Sequence, residues 1–154
     1  MVAEMKLVIQ RVKNAVVTAD GIESGKIEMG LLVLIGVIEG DTSAQSQYLA
    51  DKTAQLRIFT DEQDKLNLSV QDIQGSILVV SNFTLGGDCK KGNRPSFIRA
   101  AKQPNSEQLY LHYVSCLKER GIPVKTGVFG AHMEILMNAL GPITIVMDTE
   151  EMGR

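Results

Sequence analysis

Apolar positions fall in short runs along this chain, and most runs alternate or end within eight residues, which is the signature of strands rather than long helices. Lys6–Val12 (KLVIQRV) alternates Leu7, Ile9 and Arg11 with Val8, Gln10 and Val12. Asn14–Asp20 (NAVVTAD) is a second β-rich run, closed by the turn signal Asp20-Gly21. Lys26-Ile27-Glu28 reads as a short strand before Gly30. Leu31–Ile38 (LLVLIGVI) is apolar on both faces, as a central strand must be, and Gly36 within it predicts a bulge or a close backbone approach. Ser76–Asn82 is a further buried strand, and Met133–Met137 and Ile143–Met147 complete the set.

Helical spacing occurs twice. Thr42-Ser-Ala-Gln45 fits a capping box, with a helix running to about Leu56. Tyr48, Leu49 and Leu56 are expected on its inner face, with Asp51 and Lys52 toward water. Pro104-Asn105 opens the second helix with Asn105 as N-cap; Leu109, Tyr110, Tyr113, Val114 and Leu117 share one face, and Gly121 and Pro123 end it. Asp61–Lys65 is a polar turn. The pattern predicts one α+β domain over residues 1–154, a curved, barrel-like sheet with two main helices; a dimer interface could cover what the helices leave bare.

Composition narrows the function classes. The 154 residues are 44% hydrophobic and 22% charged, as in ordinary globular proteins. A net charge of −2 gives no global field for a polyanion, so nucleic-acid binding requires a local basic patch. Cys89 and Cys116 form no CxxC and no zinc spacing with His112 and His132, so no metal or cofactor is expected. The N-terminus lacks a signal-peptide pattern, and no apolar run approaches the about 20 residues that span a bilayer, so a cytoplasmic protein off the membrane is expected.

Gly21-Ile-Glu-Ser-Gly25-Lys26 imitates a phosphate loop but is one residue short, with Ile27 where Ser or Thr should follow; it reads as a hairpin turn. His112 and His132 read as structural or solvated, and no Ser–His–Asp arrangement can be assembled.

Three segments carry candidate chemistry. Ser81-Asn82-Phe83-Thr84 ends a buried strand with small polar residues: either a plain polar strand end, or a place where adjacent free amides at Phe83 and Thr84 form an oxyanion hole. Lys90-Lys91-Gly92-Asn93-Arg94 puts three cations in a flexible loop, either solvated or touching phosphates. Gly141-Pro142-Ile143-Thr144 starts the last strand-like run without a ladder donor at Pro142, and either proline isomer is open.

Read together and in order, these pieces resemble the D-aminoacyl-tRNA deacylases, also called D-tyrosyl-tRNA deacylases. The resemblance runs from Lys6–Val12 through Gly30–Gly36, Leu56–Phe59, Asn67–Ser69, Ser81–Leu85, Lys91–Phe97 and Thr126–Ala131 to Gly141–Thr144. It implies a barrel-like α+β fold, a homodimer, and hydrolysis of the ester joining a D-amino acid, or mischarged glycine, to the 3′-terminal adenosine of tRNA. It implies that Ser81, Asn82, Phe83 and Thr84 stand at the family's Ser-Gln-x-Thr motif. Gly141 and Pro142 would then form the Gly-cisPro motif that reaches into the partner's pocket to reject L-amino acids. Lys90, Lys91 and Arg94 would hold RNA. With no catalytic side chain or metal required, the tRNA's own 2′-hydroxyl would assist. Two positions depart from the family: Asn82 replaces the usual glutamine, and Ala139-Leu140 replaces the usual Asn-Asp before Gly-Pro. Both bear on preference and efficiency more than on fold. Some animal relatives on this fold are linked to DNA binding, so a non-catalytic DNA-binding module is the alternative expectation. Those relatives carry an added C-terminal tail, whereas this sequence stops at Arg154, soon after its last strand.

Overall fold

The structure, a computed structural model, describes residues 3–154. The chain order is β1 (Lys6–Ala19), β2 (Ile22–Ile27), β3 (Gly30–Gly36), α1 (Ser43–Gln55), β4 (Phe59–Thr60), β5 (Leu66–Leu68), β6 (Ser76–Ser81), a 3-10 turn (Phe83–Gly86), α2 (Asn105–Glu119), β7 (Val124–Thr126) and β8 (Met133–Asp148). Six strands form one sheet in the order β2-β1-β3-β6-β7, with β8 on the free side of β1. The β3–β6 and β6–β7 pairs are parallel and the β1 pairs antiparallel. The two edges of this order meet: a Cβ at Gly25 in β2 would lie 2.8 Å from the Thr126 carbonyl of β7 and 2.9 Å from Leu78. Gly25 is thus where the barrel nearly closes, and only a residue without a side chain permits that approach.

Alternation along β3 and β6 feeds two cores. Leu31, Val33, Ile35, Ile77 and Val79 point to the helix side, where Leu49, Ala50, Tyr113 and Leu117 cover them. Leu32, Leu78 and Val80 point into the curl of the sheet with Val12, Ala15, Val17 and Ile27. The first and second expected strands are one, β1, because two register shifts near Arg11 and Lys13 bend it without ending it. Those bulges let Leu7 and Ile9 join the helix-side core while Val12, Ala15 and Val17 join the inner one.

Four expectations need correcting. Ile22–Ile27 is a strand, and the hairpin turn is only Asp20-Gly21, whose φ values are 50° and 82°. The expected strands Met133–Met137 and Ile143–Met147 are one 16-residue strand interrupted by a bulge. Asn105 is the first helical residue of α2; the cap position is Pro104, which offers no side-chain acceptor. Asp51 is not simply solvated, since Arg120 of α2 binds its carboxylate at 3.0 Å. The capping box of α1 forms as expected, with Thr42 and Gln45 bonded reciprocally. On its inner face Leu49 is buried while Tyr48 and Leu56 are half-buried.

Asp41 ties the start of β1 to the end of the β3 region. Its carboxylate accepts the amides of Glu4 (2.8 Å), Met5 (3.0 Å) and Ile38 (2.7 Å). Burial pushes its pKa up to about 6; the Ile38 and Met5 amides pull it down, and the nearby Asp148 charge adds to the rise.

Candidate active site

β6 pairs in parallel with β3 until Ser81 faces Ile35, and the Asn82 amide then closes on the Ile35 carbonyl at 2.8 Å. The chain folds at once into the 3-10 turn Phe83–Gly86. Gly36 makes room for it: a Cβ there would stand 2.7 Å from Leu85 Cβ and 3.1 Å from the Asn82 carbonyl. The close approach expected at Gly36 is therefore the seat of the turn.

Asn82 caps that turn. Its Oδ1 accepts the Thr84 amide at 3.2 Å and also the Thr84 hydroxyl. This corrects the expectation of two free amides at the strand end. The Thr84 donor is occupied by its neighbour's side chain, while the Phe83 amide donates to no group among the described residues.

Ser81, Asn82, Phe83 and Thr84 form one wall of a largely apolar cavity of about 490 Å³. Leu34 and Val80 form its floor, and the segment Phe129–Met133 with Ile135 forms the facing wall. Phe83 is 58% exposed and stands between this cavity and a smaller hollow of about 240 Å³ that includes Lys102, Gln103 and Ser106. Phe129 borders both spaces and packs on Tyr110 with ring centroids 5.6 Å apart. The facing wall was not singled out from the residues. Its signal was the glycine pair Gly127 and Gly130 around an isolated aromatic, which marks a shaped loop; His132, read as structural or solvated, is exposed and lines the cavity.

The basic loop is mounted on the same wall. Asp88 and Ser96 exchange backbone bonds of 2.8 and 2.9 Å, closing the loop between them, and the Lys90 amide donates to Asp88 Oδ1 at 2.9 Å. Phe97, just beyond, meets Phe83 edge-on at 5.3 Å. Lys90, Lys91 and Arg94 are exposed and join no ion pair among the described residues.

Gly141 and Pro142 are not brought to this cavity within one chain. Between the pairs Gln10–Thr144 and Val12–Ala139, the four residues Leu140 to Ile143 face Arg11 alone, so the Gly-Pro turn leaves the ladder and projects. The Gly141–Pro142 peptide is cis, and Gly141 has φ 112°. Arg11 spans the gap, donating to the carbonyls of Leu140 (3.4 Å) and Ile58 (3.1 Å). This is a polar support for the turn that Ala139-Leu140 does not itself provide.

Elsewhere, His112 lies 3.6 Å from the Cys116 sulfur on α2, and burial raises the thiol pKa, as do the nearby Glu119 and Asp51 charges. Glu4, Asp148 and Glu150 bring carboxylate oxygens within 4.8 Å of one another, but Glu4 is paired with Arg99 and Asp148 with Lys6 at 3.7 Å. None of the three lines the cavity. Among the described residues no helix is long and apolar enough to cross a membrane.

Residues 8–148 match the family described as D-Tyr-tRNA(Tyr) deacylase. A D-aminoacyl-tRNA deacylase of Caldicellulosiruptor bescii is 47% identical over 147 residues, covering 96% of this chain and 99% of that protein. One of Bacillus licheniformis is 49% identical over 146 residues, covering 95% and 99%. Among solved structures, a c-Myc DNA unwinding element binding protein superposes with a TM-score of 0.86 at 37% identity, covering 92% of this chain and 97% of that one. A probable eukaryotic D-amino acid tRNA deacylase superposes with a TM-score of 0.80 at 17% identity over 94% of this chain and 99% of its own, a likeness of fold. Sequence over nearly the whole length and the barrel-like sheet agree, and the chain belongs to the D-aminoacyl-tRNA deacylase family of hydrolases.

Proposed function

We propose that this hydrolase cleaves the ester between a D-amino acid and the 3′-terminal adenosine of tRNA, clears glycine from mischarged tRNA, and leaves L-aminoacyl-tRNA intact. The observation that carries the reading is the Phe83 amide, a donor with no partner among the described residues, at the end of β6 on the wall of an apolar cavity. An ester carbonyl gains negative charge when water attacks, and a preorganised amide in a partly dry site lowers that barrier by about 2.7–4 kcal/mol. Thr84 Oγ1 is bonded to the Asn82 amide oxygen and to no base among the described residues, so the assistance to water is assigned to the 2′-hydroxyl of the terminal ribose, and the protein supplies position.

Selection by chirality needs a second wall. In a homodimer the projecting Gly141-Pro142 turn of one subunit would enter the other's cavity and offer backbone carbonyls to the substrate ammonium. With carbonyl and ammonium both held, an L side chain strikes that turn, a D side chain points outward, and glycine passes. Lys90, Lys91 and Arg94, hung beside Phe83, would hold the acceptor-end phosphates. A tRNA substrate supports a cytoplasmic location.

One tRNA charged with D-tyrosine, L-tyrosine or glycine tests this. Release of D-tyrosine and glycine with L-tyrosine retained is the expected result. Release of all three would remove the chiral gate from the reading. Release of none at enzyme excess would overturn it, and a salt-dependent shift of duplex DNA would then favour the DNA-binding alternative, the property for which the 37% identical protein is named.

A further inference from the structure

Asn82 Oδ1 accepts from a backbone N–H, that of Thr84, and only the carbonyl end of an asparagine can do so. The same atom is bonded to the Thr84 hydroxyl, so the hydroxyl must be the donor in that contact. A hydroxyl has one hydrogen and two lone pairs; with its hydrogen given to Asn82, Thr84 Oγ1 can only accept from whatever enters the cavity it lines. The Asn82 backbone is itself fixed, its amide on the Ile35 carbonyl at 2.8 Å and its carbonyl against Gly36.

We infer that Asn82 is a positioning residue: it orients Thr84 as a fixed hydrogen-bond acceptor for the reacting hydroxyl, whether water or the ribose 2′-hydroxyl, and reserves oxyanion binding to the Phe83 amide. This rests on the deacylase reading above. The shorter side chain at this position is thus turned inward on the turn it caps rather than outward to the nucleotide. Thr84 is neither nucleophile nor proton donor here. Loss of Asn82 frees the hydroxyl to rotate and costs turnover, with little effect on substrate affinity.

The test is steady-state hydrolysis of D-tyrosyl-tRNA by wild type, Asn82→Ala, Thr84→Val and the double variant. Asn82→Ala is expected to lower kcat about 10-fold with KM within about twofold, since the bond that orients the hydroxyl is lost together with the cap on the Thr84 amide. The double variant should be no slower than Thr84→Val alone, because Asn82 acts through that hydroxyl. An unchanged or increased kcat in Asn82→Ala, or losses that multiply in the double variant, would overturn the inference. Should Asn82→Ala not fold, Asn82→Asp, which keeps the acceptor, is compared with Asn82→Leu, which is similar in size and lacks it; equal kcat values overturn it. An inactive wild type sinks the deacylase reading itself and this inference with it, whereas an active wild type matched by Asn82→Ala sinks only the inference.

Discussion

Two strands of this sheet break off at the places that matter, and they do so in opposite ways. β6 stops at Ser81, and every step after it is accommodated inside the chain: Asn82 bonds Ile35, caps Thr84, and the turn rests on Gly36. β8 instead throws Gly141 and Pro142 out of the ladder, exposed, with Arg11 behind them holding the Leu140 carbonyl. The first break is a finished wall, complete within one chain. The second is a solvent-exposed projection, on a strand whose Leu136 and Val146 are 73% and 67% exposed. On the reading proposed above, the site is divided between two subunits: the wall holds the ester carbonyl, and the projection holds the substrate ammonium and selects by chirality.

The largest expected effect comes from the projection. At φ 112° a residue with a Cβ is strained, and at Gly141 that Cβ would also sit 3.0 Å from Ile143 Cγ1 and 3.2 Å from Arg11. Gly141→Val should lower D-tyrosyl-tRNA hydrolysis by about 100-fold or more, about 2.7 kcal/mol in the barrier, with circular dichroism and helix content unchanged. Wild-type turnover would mean the projecting turn belongs to no active site, and the division would collapse. Sedimentation of the wild type sharpens the same point: a monomer at micromolar concentration leaves the turn without a pocket to enter.

The wall should be less sensitive, because it is braced. Gly36→Ala puts a methyl 2.7 Å from Leu85 Cβ, and the 3-10 turn must shift by a few tenths of an ångström. Overpacking of this kind costs about 1–3 kcal/mol of stability. We expect kcat to fall about 10-fold as the Phe83 amide moves, an effect read in the same assay. Loss of chirality without loss of rate would reverse the assignment of roles to the two breaks.

How legible these regions were in the sequence follows from what holds each. The wall ends a continuous apolar run buried on both faces, so β6, its end near Ser81 and the close approach at Gly36 could be read from pattern. Its hydrogen bonding could not, because whether Thr84 donates to a substrate or to Asn82 depends on a rotamer. The projection was legible only as a motif: four residues opposite one is a register event, and composition carries no register. The same limit split β1 and β8 in the reading from pattern, where bulges resemble loops. It also hid β2, whose Glu23, Ser24 and Gly25 look like a turn until Gly25 is seen against Thr126. The facing wall, Phe129–Met133, has no periodicity at all and is assembled by tertiary contact.

A control separates stability from both breaks. Asp41 titrates far up for a carboxylate, near 6 against 3.8 for the ordinary group, and it does not line the cavity. The raised pKa means ionisation costs the folded state, so the folded protein binds the extra proton and loses stability as pH rises from about 4 to about 6. Discounted for its partial exposure, the effect is about 1–2 kcal/mol. Asn at this position carries no such charge. Urea unfolding at pH 4, 5, 6 and 7 should show wild type gaining on Asp41→Asn as pH falls below 6, with catalytic parameters of the two alike near neutrality. A pH-independent difference would mean the three amide bonds, not burial, set the carboxyl's behaviour.

The smallest effects are expected at the loop that hangs from the wall. Lys90, Lys91 and Arg94 are exposed, make no ion pair among the described residues, and do not line the cavity. Cations placed this way act on a polyanion through counterion release, which adds to affinity and not to the reacting centre. Each single change to Gln should raise KM by about two- to fourfold and leave kcat alone. The triple change should lessen the slope of log affinity against log salt by about 2, the value for three single-strand phosphate contacts. The Phe83–Phe97 contact links loop and wall. A fall in kcat on neutralising the loop would therefore mean that RNA binding reaches the Phe83 amide through that ring pair, and that the wall is finished only when the nucleic acid is on it.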